Sequence, residues 1–122
     1  NLMKVFKLFI LGLFFIVSCK DNQMPKDLIE EQKMIKIIAD LHIIDGYMAT
    51  LVYTDSTRIN GKNFYATVYK SHKTTRAVYE KSLKYYSMDP VRLDSMYSRV
   101  EVLLTKKERK LNKNQLKTPE IQ

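Results

Sequence analysis

The sequence has few of the residues that make turns, crosslinks and metal sites. Its 122 residues include one cysteine, no tryptophan, three glycines and three prolines. A single cysteine excludes an internal disulfide and the zinc sites that are made from paired cysteines. The scarcity of glycine and proline disfavours a fold rich in strands and tight turns and favours helices. Catalytic triads and glycine-rich phosphate loops are also missing, so we expect no enzyme activity, no cofactor and no metal.

The longest apolar run is short, and it ends next to the only cysteine. Residues 8–17 are ten uncharged, mostly apolar residues, whereas a transmembrane helix needs about 20. Lys4 and Lys7 precede the run, and this order of charged, apolar and small residues is typical of a signal peptide. Ile16-Val17-Ser18-Cys19 resembles a bacterial lipobox, at which a lipoprotein precursor is lipidated on cysteine and cut just before it. The sequence therefore predicts a signal peptide over 1–18 and lipidation of Cys19.

Two alternatives to a lipobox are an uncleaved anchor helix and an ordinary signal peptide with an unrelated cysteine. The position of Cys19 at the cleavage junction favours lipidation. Two or more acyl chains give stable anchoring where one does not, so we expect a protein held by lipid in the cell envelope, at the periplasmic or surface face of the outer membrane. Residues 19–25 would be the lipidated tether. Lys20-Asp21-Asn22 partly matches a surface-export signal, with a solvated linker as the alternative.

The net charge of +8 is the next constraint. The predicted signal peptide carries only Lys4 and Lys7, so its removal leaves +6. In the cytoplasm such a charge would suggest nucleic acid, and the pattern around Thr75 loosely resembles a helix-turn-helix. Outside the cytoplasm, anionic headgroups, acidic glycans or an acidic protein are the available partners. Because export is expected, no nucleic-acid partner is.

Apolar residues recur at helical spacing over most of the remaining chain. The pattern predicts an all-α fold, a small bundle of about four helices over 26–110, followed by a polar basic tail over 111–122. Thr75 and Asp89-Pro90 are predicted helix starts, Asn60-Gly61 is a predicted turn, and Gly46 suggests close approach of another helix. The predicted helices span about 26–52, 62–72, 76–87 and 90–110.

Several short stretches together resemble a family of short Bacteroidota lipoproteins known as domain of unknown function 4296. The matching stretches are Pro25-Lys26-Asp27-Leu28-Ile29, Lys33-Met34, Ile38-Ala39-Asp40-Leu41-His42, Asp55-Ser56, Tyr69-Lys70, Ser82-Leu83-Lys84-Tyr85-Tyr86, and Asp89-Pro90 with Leu93, Met96-Tyr97 and Val100. Ser71-His72-Lys73 departs from the more usual Lys-His-Gly, so this turn is expected to be built differently. The resemblance supports the fold and the envelope location but implies no reaction.

Asp40, His42 and Asp45 interrupt the apolar pattern of the first predicted helix. Residues 42 and 45 share a face, where they could bond to each other or hold a metal together. Asp40 and His42 point about 200° apart and cannot chelate one ion from a regular helix. A zinc site also needs further ligands, and nothing in the sequence ties His72 to His42. We expect a capping or bridging role, with a metal or acid–base role as the alternative.

Tyrosines and C-terminal lysines supply the remaining candidates. Core packing is expected for the tyrosines at helical spacing, which are Tyr65, Tyr69, Tyr79 and Tyr86. Adjacent Tyr85 and Tyr86 point about 100° apart, so at least one should be exposed, and this pair is the first candidate interaction contact. The basic cluster of Lys106, Lys107, Arg109 and Lys110 is either a solvated helix end or a contact to anionic lipid or an acidic partner.

The interpretation favoured by these features is a lipid-anchored helical interaction module, an accessory part of an envelope assembly with a protein partner. The alternative is an envelope enzyme or small-ligand carrier with a pocket near Asp40 and His42. A pocket converging on those residues would favour the alternative, and a filled core would favour the interaction module.

Overall fold

Helices make up nearly all the regular structure in the computed structural model, which describes residues 1–13 and 23–117. No strand occurs in these two ranges, so the predicted all-α class is confirmed. The last four helices form the bundle, and the first precedes it. The five helices are α1 (Leu2–Leu13), α2 (Glu31–Ala49), α3 (Asp55–Ser71), α4 (Arg76–Ser87) and α5 (Pro90–Leu116).

Helix α2 is the centre of the bundle. It packs against α3 and α5, and α4 in turn packs against both of those helices. Helix α2 contributes more core residues than any other helix, because three isoleucines, Met34 and Leu41 recur at helical spacing on its apolar face. Tyrosines from α3 and α4 and two residues of α5 complete the same cluster. The buried core residues are Ile29, Met34, Ile35, Ile37, Ile38, Ala39, Leu41, Val68, Tyr69, Tyr79, Tyr86, Met96 and Val100.

The segment before α2 is not helical, although the pattern predicts a helix from about residue 26. Glu30 is extended (φ −63°, ψ 153°), and α2 begins at Glu31. In this segment, the backbone amide and the backbone carbonyl of Ile29 are both hydrogen-bonded to side chains of α4. Ser82 accepts a hydrogen bond from the Ile29 amide (3.0 Å), and the Tyr86 hydroxyl donates to the Ile29 carbonyl (2.6 Å). Contacts from α4 thus replace the helical hydrogen bonds that the local pattern suggests.

Helices α2 and α3 form an antiparallel hairpin. Helix α3 begins at Asp55, about seven residues before the predicted start, because Thr54 and Thr57 form a reciprocal capping box. The predicted turn at Asn60-Gly61 is therefore wrong, since both residues lie inside α3. Gly61 is where the two helices approach closely: a Cβ built there would lie 3.2 Å from Cε of Met48.

Gly46 does not mark the close approach that was expected of it. A Cβ built at Gly46 meets nothing within 4 Å, so this glycine faces open space on α2. No packing reason for glycine at this position is found in the structure.

The turn from α3 to α4 is a Schellman motif. The amide of Thr74 donates to the Tyr69 carbonyl and the amide of Lys73 donates to the Lys70 carbonyl. Lys73 has φ 54° and is the one non-glycine residue with positive φ in the described chain. The turn thus keeps the geometry that usually takes glycine, and the expectation of a different construction is wrong. Thr75 then caps α4 through the Val78 amide, as predicted.

Helix α5 begins where the sequence predicts. Pro90 is its first residue, and the Asp89 carboxylate accepts a hydrogen bond from the Arg92 amide (3.1 Å). Met96 and Val100 are fully buried against the core. The helix continues to Leu116, past the predicted end near residue 110, so residues 111–116 of the predicted tail are helical.

Helix α1 has exposed side chains over residues 1–10. No helix in the parts of the chain that the structure describes is long and apolar enough to cross a membrane. Cys19 and the rest of the predicted lipobox lie outside the described residues.

Candidate functional site

Asp40 joins three helices through its carboxylate. Lys107 of α5 donates a hydrogen bond to Oδ1 (2.6 Å), and Nε2 of His72, at the end of α3, lies 2.7 Å from Oδ2. The Asp40 side chain is 29% exposed and that of His72 18%. Both carboxylate oxygens are therefore engaged within the bundle, and the Asp40–His72–Lys107 cluster acts as a polar clamp on α2, α3 and α5.

The charge state of Asp40 follows from these contacts. Burial by itself would raise the pKa of the carboxyl group, but the hydrogen bonds from Lys107 and His72 outweigh it and lower the pKa below its ordinary value of 3.8. Asp40 is thus an anion held by two donors. No sequence pattern links Asp40 to His72, because the two residues are 32 positions apart.

His42 and Asp45 do not join this cluster. His42 is exposed, and its ring packs edge-on against Tyr97 of α5 with centroids 6.3 Å apart. Asp45 accepts a hydrogen bond from the Tyr65 hydroxyl. His42 and Asp45 therefore do not use the shared face to contact each other: each has a partner on a different helix, Tyr97 of α5 and Tyr65 of α3. Over residues 1–13 and 23–117, no group of three or more acidic, histidine or cysteine residues could hold a metal ion.

Of the four tyrosines expected in the core, Tyr69, Tyr79 and Tyr86 are buried and Tyr65 is half-buried. Tyr69 and Tyr79 are buried and their ring centroids lie 5.3 Å apart, while half-buried Tyr65 packs edge-on against Tyr69. Burial and the hydrogen bond to Asp45 raise the pKa of Tyr65 to about 12. Burial also raises the pKa of Tyr79. These hydroxyl groups thus remain neutral at physiological pH and serve packing.

Tyr86 is a core residue, as its helical spacing predicts, and is therefore not an interaction contact. It is 1% exposed, its hydroxyl is bonded to Ile29, and the Arg92 guanidinium lies 4.8 Å from its ring centroid. Tyr85 is half-buried, so neither of the pair is fully exposed. Neighbouring residues of a helix such as Tyr85 and Tyr86 point about 100° apart. Residues 23–30, however, cover the side of α4 that would otherwise face solvent.

The basic cluster on α5 divides into two parts. Lys107 forms an ion pair with Asp40. This contact within the bundle replaces the solvated or partner-binding role that was expected of Lys107. Lys106, Arg109 and Lys110 are exposed. Glu31 also links α2 to α5, because it forms ion pairs with Arg92 (3.0 Å) and Arg99 (3.3 Å).

An exposed apolar surface, which the sequence pattern does not predict, lies at the end of the α2–α3 hairpin. Tyr47 and Phe64 stack edge-on across the two helices with centroids 6.2 Å apart, yet remain 55% and 42% exposed. Val52 and Tyr53, in the connection, are about 80% exposed. The hairpin-end patch consists of Ile43, Tyr47, Val52, Tyr53 and Phe64. Ile43 and Tyr47 lie beside the apolar face of α2, so their spacing alone would place them in the core.

A groove of about 740 Å³ lies at the other end of α2, between residues 23–27 and the last turns of α4. We call it the tether groove because it adjoins the predicted tether. Its walls combine lysines with apolar and aromatic side chains. The residues used below are Met24, Lys26, Lys81, Lys84, Tyr85 and Met88.

A second, smaller groove of about 310 Å³ includes His72 beside Lys33 and Lys36. Neither groove is lined by Asp40 or His42. The pocket that the alternative interpretation requires near those two residues thus gains no support from these grooves.

Together, the fold and these surfaces define a small all-helical domain with one continuous core and a polar clamp between helices. The chain belongs to the family described as domain of unknown function (DUF4296), whose model matches residues 25–110. The match confirms the domain of unknown function that the sequence resembles. No curated protein and no solved structure matches the chain.

Proposed function

We propose that this protein is a lipid-anchored lipoprotein of the Bacteroidota cell envelope, held at the outer membrane through Cys19. In this proposal it is a non-enzymatic accessory module that binds a protein partner of an envelope assembly. The hairpin-end patch is the observation that carries the partner-binding role. The envelope location rests on the signal-peptide pattern and the lipobox-like residues 16–19.

The anchor is tested by metabolic labelling with radioactive palmitate in cells that make the full chain. Labelling of the wild type and its loss in Cys19→Ser are expected, because Cys19 is the only thiol available for lipidation. Ser18→Ala, which keeps a small residue before the cysteine, is the matched control and should still be labelled. Unchanged labelling of Cys19→Ser would contradict the lipid anchor.

The hairpin-end patch has the composition of a binding surface. Aromatic residues are enriched at protein interfaces because they bury a large area while losing few rotamers. Single exposed apolar residues are ordinary, but five large ones at one helical hairpin mark an interaction surface. Tyr47 and Phe64 are also fixed against each other across two helices, so the patch is ordered before any partner binds.

Photo-crosslinking in intact cells tests the partner-binding role. A photoreactive phenylalanine analogue replaces Tyr53, whose side chain is 80% exposed. We expect one crosslinked product of defined mass, and we expect Val52→Asp to abolish it because a charge introduced next to Tyr53 in the patch opposes burial against a partner. The same analogue at exposed Ala77 on α4 is the control and should give no such product.

A crosslinked product of equal yield at positions 53 and 77, or one that Val52→Asp leaves unchanged, would contradict binding through the patch. Circular dichroism of Val52→Asp should match the wild type, since Val52 is 81% exposed and contributes little to the core.

A further inference from the structure

The tether groove combines positive charge with exposed apolar side chains. Lys26 and Lys84 have no carboxylate partner among the residues that the structure describes, whereas Lys81 pairs with Asp27 at 3.3 Å. Met24 is 63% exposed and Met88 47%. A surface on which cationic and apolar groups alternate suits the boundary between lipid headgroups and acyl chains, where each kind of group finds a favourable partner.

The position of the groove in the chain points to the same occupant. Its first wall residue, Gln23, is four positions after Cys19, so the two Cα atoms can be at most about 14 Å apart. A domain held by such a short tether has the groove within reach of the bilayer surface. Free diffusion to a distant partner would need a longer linker.

We propose that the tether groove docks onto anionic phospholipid headgroups and so fixes the orientation of the domain on the membrane. Lys26 and Lys84 contact headgroup phosphates, and Met24 and Met88 lie at the level of the upper acyl chains. The proposal rests on the lipid anchor at Cys19 and adds a second, electrostatic contact to it. Its consequence is that the hairpin-end patch faces away from the bilayer.

Depth-dependent fluorescence quenching tests the orientation. Because Cys19 is the only cysteine and would be lipidated, a cysteine introduced by Met88→Cys is the only free thiol for a fluorophore. The full lipidated chain is reconstituted into phosphatidylcholine vesicles with or without phosphatidylglycerol, and the quencher is attached to lipid. The matched control carries the fluorophore at Val52→Cys, in the hairpin-end patch.

We expect several-fold stronger quenching at position 88 than at position 52 in vesicles that contain phosphatidylglycerol. The difference should shrink in high salt, which screens exposed charges, and in the double variant Lys26→Glu, Lys84→Glu. Both lysines are exposed, so the double variant should keep the helical circular dichroism of the wild type.

The possible failures are distinguishable by vesicle flotation. Protein that floats with the vesicles but is quenched equally at positions 88 and 52 would overturn the groove proposal and leave the anchor intact. Stronger quenching at position 88 that is the same without phosphatidylglycerol would overturn recognition of anionic lipid. Protein that does not float would overturn the anchor and the groove proposal together.

Discussion

Lys73 adopts a backbone conformation that costs free energy for any residue with a Cβ. Its φ of 54° lies in the left-handed region at the position after α3 that glycine usually fills. We expect Lys73→Gly to raise the free energy of unfolding by about 0.5–1 kcal/mol, because relief of about 1–3 kcal/mol of strain exceeds the entropy that glycine adds to the unfolded chain. Chemical denaturation of the two proteins measures this difference.

Lys73→Ala is the control for that experiment. Alanine removes the charge but keeps the Cβ and therefore the strain, so its stability should stay near that of the wild type. A stability gain of the same size in both variants would show that charge repulsion, and not backbone strain, is relieved.

Asp40 makes the stability of the bundle depend on pH. The pKa of its carboxyl group is lower in the folded state than its ordinary value of 3.8, so the folded state favours the anion. Its contribution is therefore complete above pH 3.8 and is lost as pH falls below 3.8 through the folded-state pKa. At neutral pH we expect Asp40→Asn to lower the free energy of unfolding by about 1–2 kcal/mol, since charge-assisted hydrogen bonds are lost from a partly exposed site.

Denaturation of Asp40→Asn and the wild type across the acid range measures this dependence, and the gap between them should close as pH falls below 3.8. Asp94→Asn is the matched control because Asp94 is exposed, and its effect should stay within about 0.5 kcal/mol. A gap between wild type and Asp40→Asn that is constant through the acid range would contradict the ionised clamp.

At the scale of elements, two hydrogen bonds from α4 fix the segment before α2. Ser82 is 1% exposed and accepts from the Ile29 amide, so Ser82→Ala leaves a buried donor without a partner. We expect a loss of about 1–3 kcal/mol in the free energy of unfolding and faster hydrogen exchange at the Ile29 amide. Ser87→Ala is the control, because the Ser87 hydroxyl donates to the Lys84 carbonyl at an exposed site.

An unchanged exchange rate at Ile29 in Ser82→Ala would show that packing alone holds the segment. Tyr86→Phe probes the other bond: it removes the donor to the Ile29 carbonyl while keeping the ring in the core. Its cost should be about 1 kcal/mol.

Helix starts that are set by local chemistry could be predicted from the sequence. Thr75 and Asp89-Pro90 act through groups within four residues of each other, so the pattern alone locates α4 and α5. The start of α2 could not be predicted, because its position depends on hydrogen bonds from residues more than 50 positions away. The start of α3 was missed because Asn60-Gly61, a usual turn signal, lies inside a helix with a strong capping box.

The candidate surfaces also include features with a local sequence signal and features that depend on residues far away in the chain. Asp40 was singled out as a polar interruption of an apolar face, but its partners His72 and Lys107 come from two other helices and carry no local signal. The hairpin-end patch was hidden for a different reason. Periodicity assigns Ile43 and Tyr47 to an apolar face without showing where the neighbouring helix ends, and here α3 covers only part of that face.

The whole molecule has two ends with different surfaces. The tether groove lies beside the start of α2, and the hairpin-end patch lies around its last turn and the connection to α3. The 19 residues of α2 span about 28 Å at 1.5 Å per residue. If the groove rests on the bilayer, the patch is presented that far from it, where the soluble part of an envelope protein can reach it.

This separation predicts that the two proposed activities are independent. Substitutions farther apart than about 10 Å without shared partners usually have additive effects. Lys84→Glu should therefore reduce fluorescence quenching at position 88 while leaving the crosslink at position 53 unchanged for equal amounts of membrane-bound protein. Val52→Asp should do the reverse, and the double variant should show both losses at their single-variant sizes. Quenching is measured on vesicle-bound protein, and the crosslink is measured in intact cells at matched amounts of membrane-bound protein. Loss of the crosslink in Lys84→Glu would show that partner binding needs the docked orientation, and the two ends would then form one coupled site.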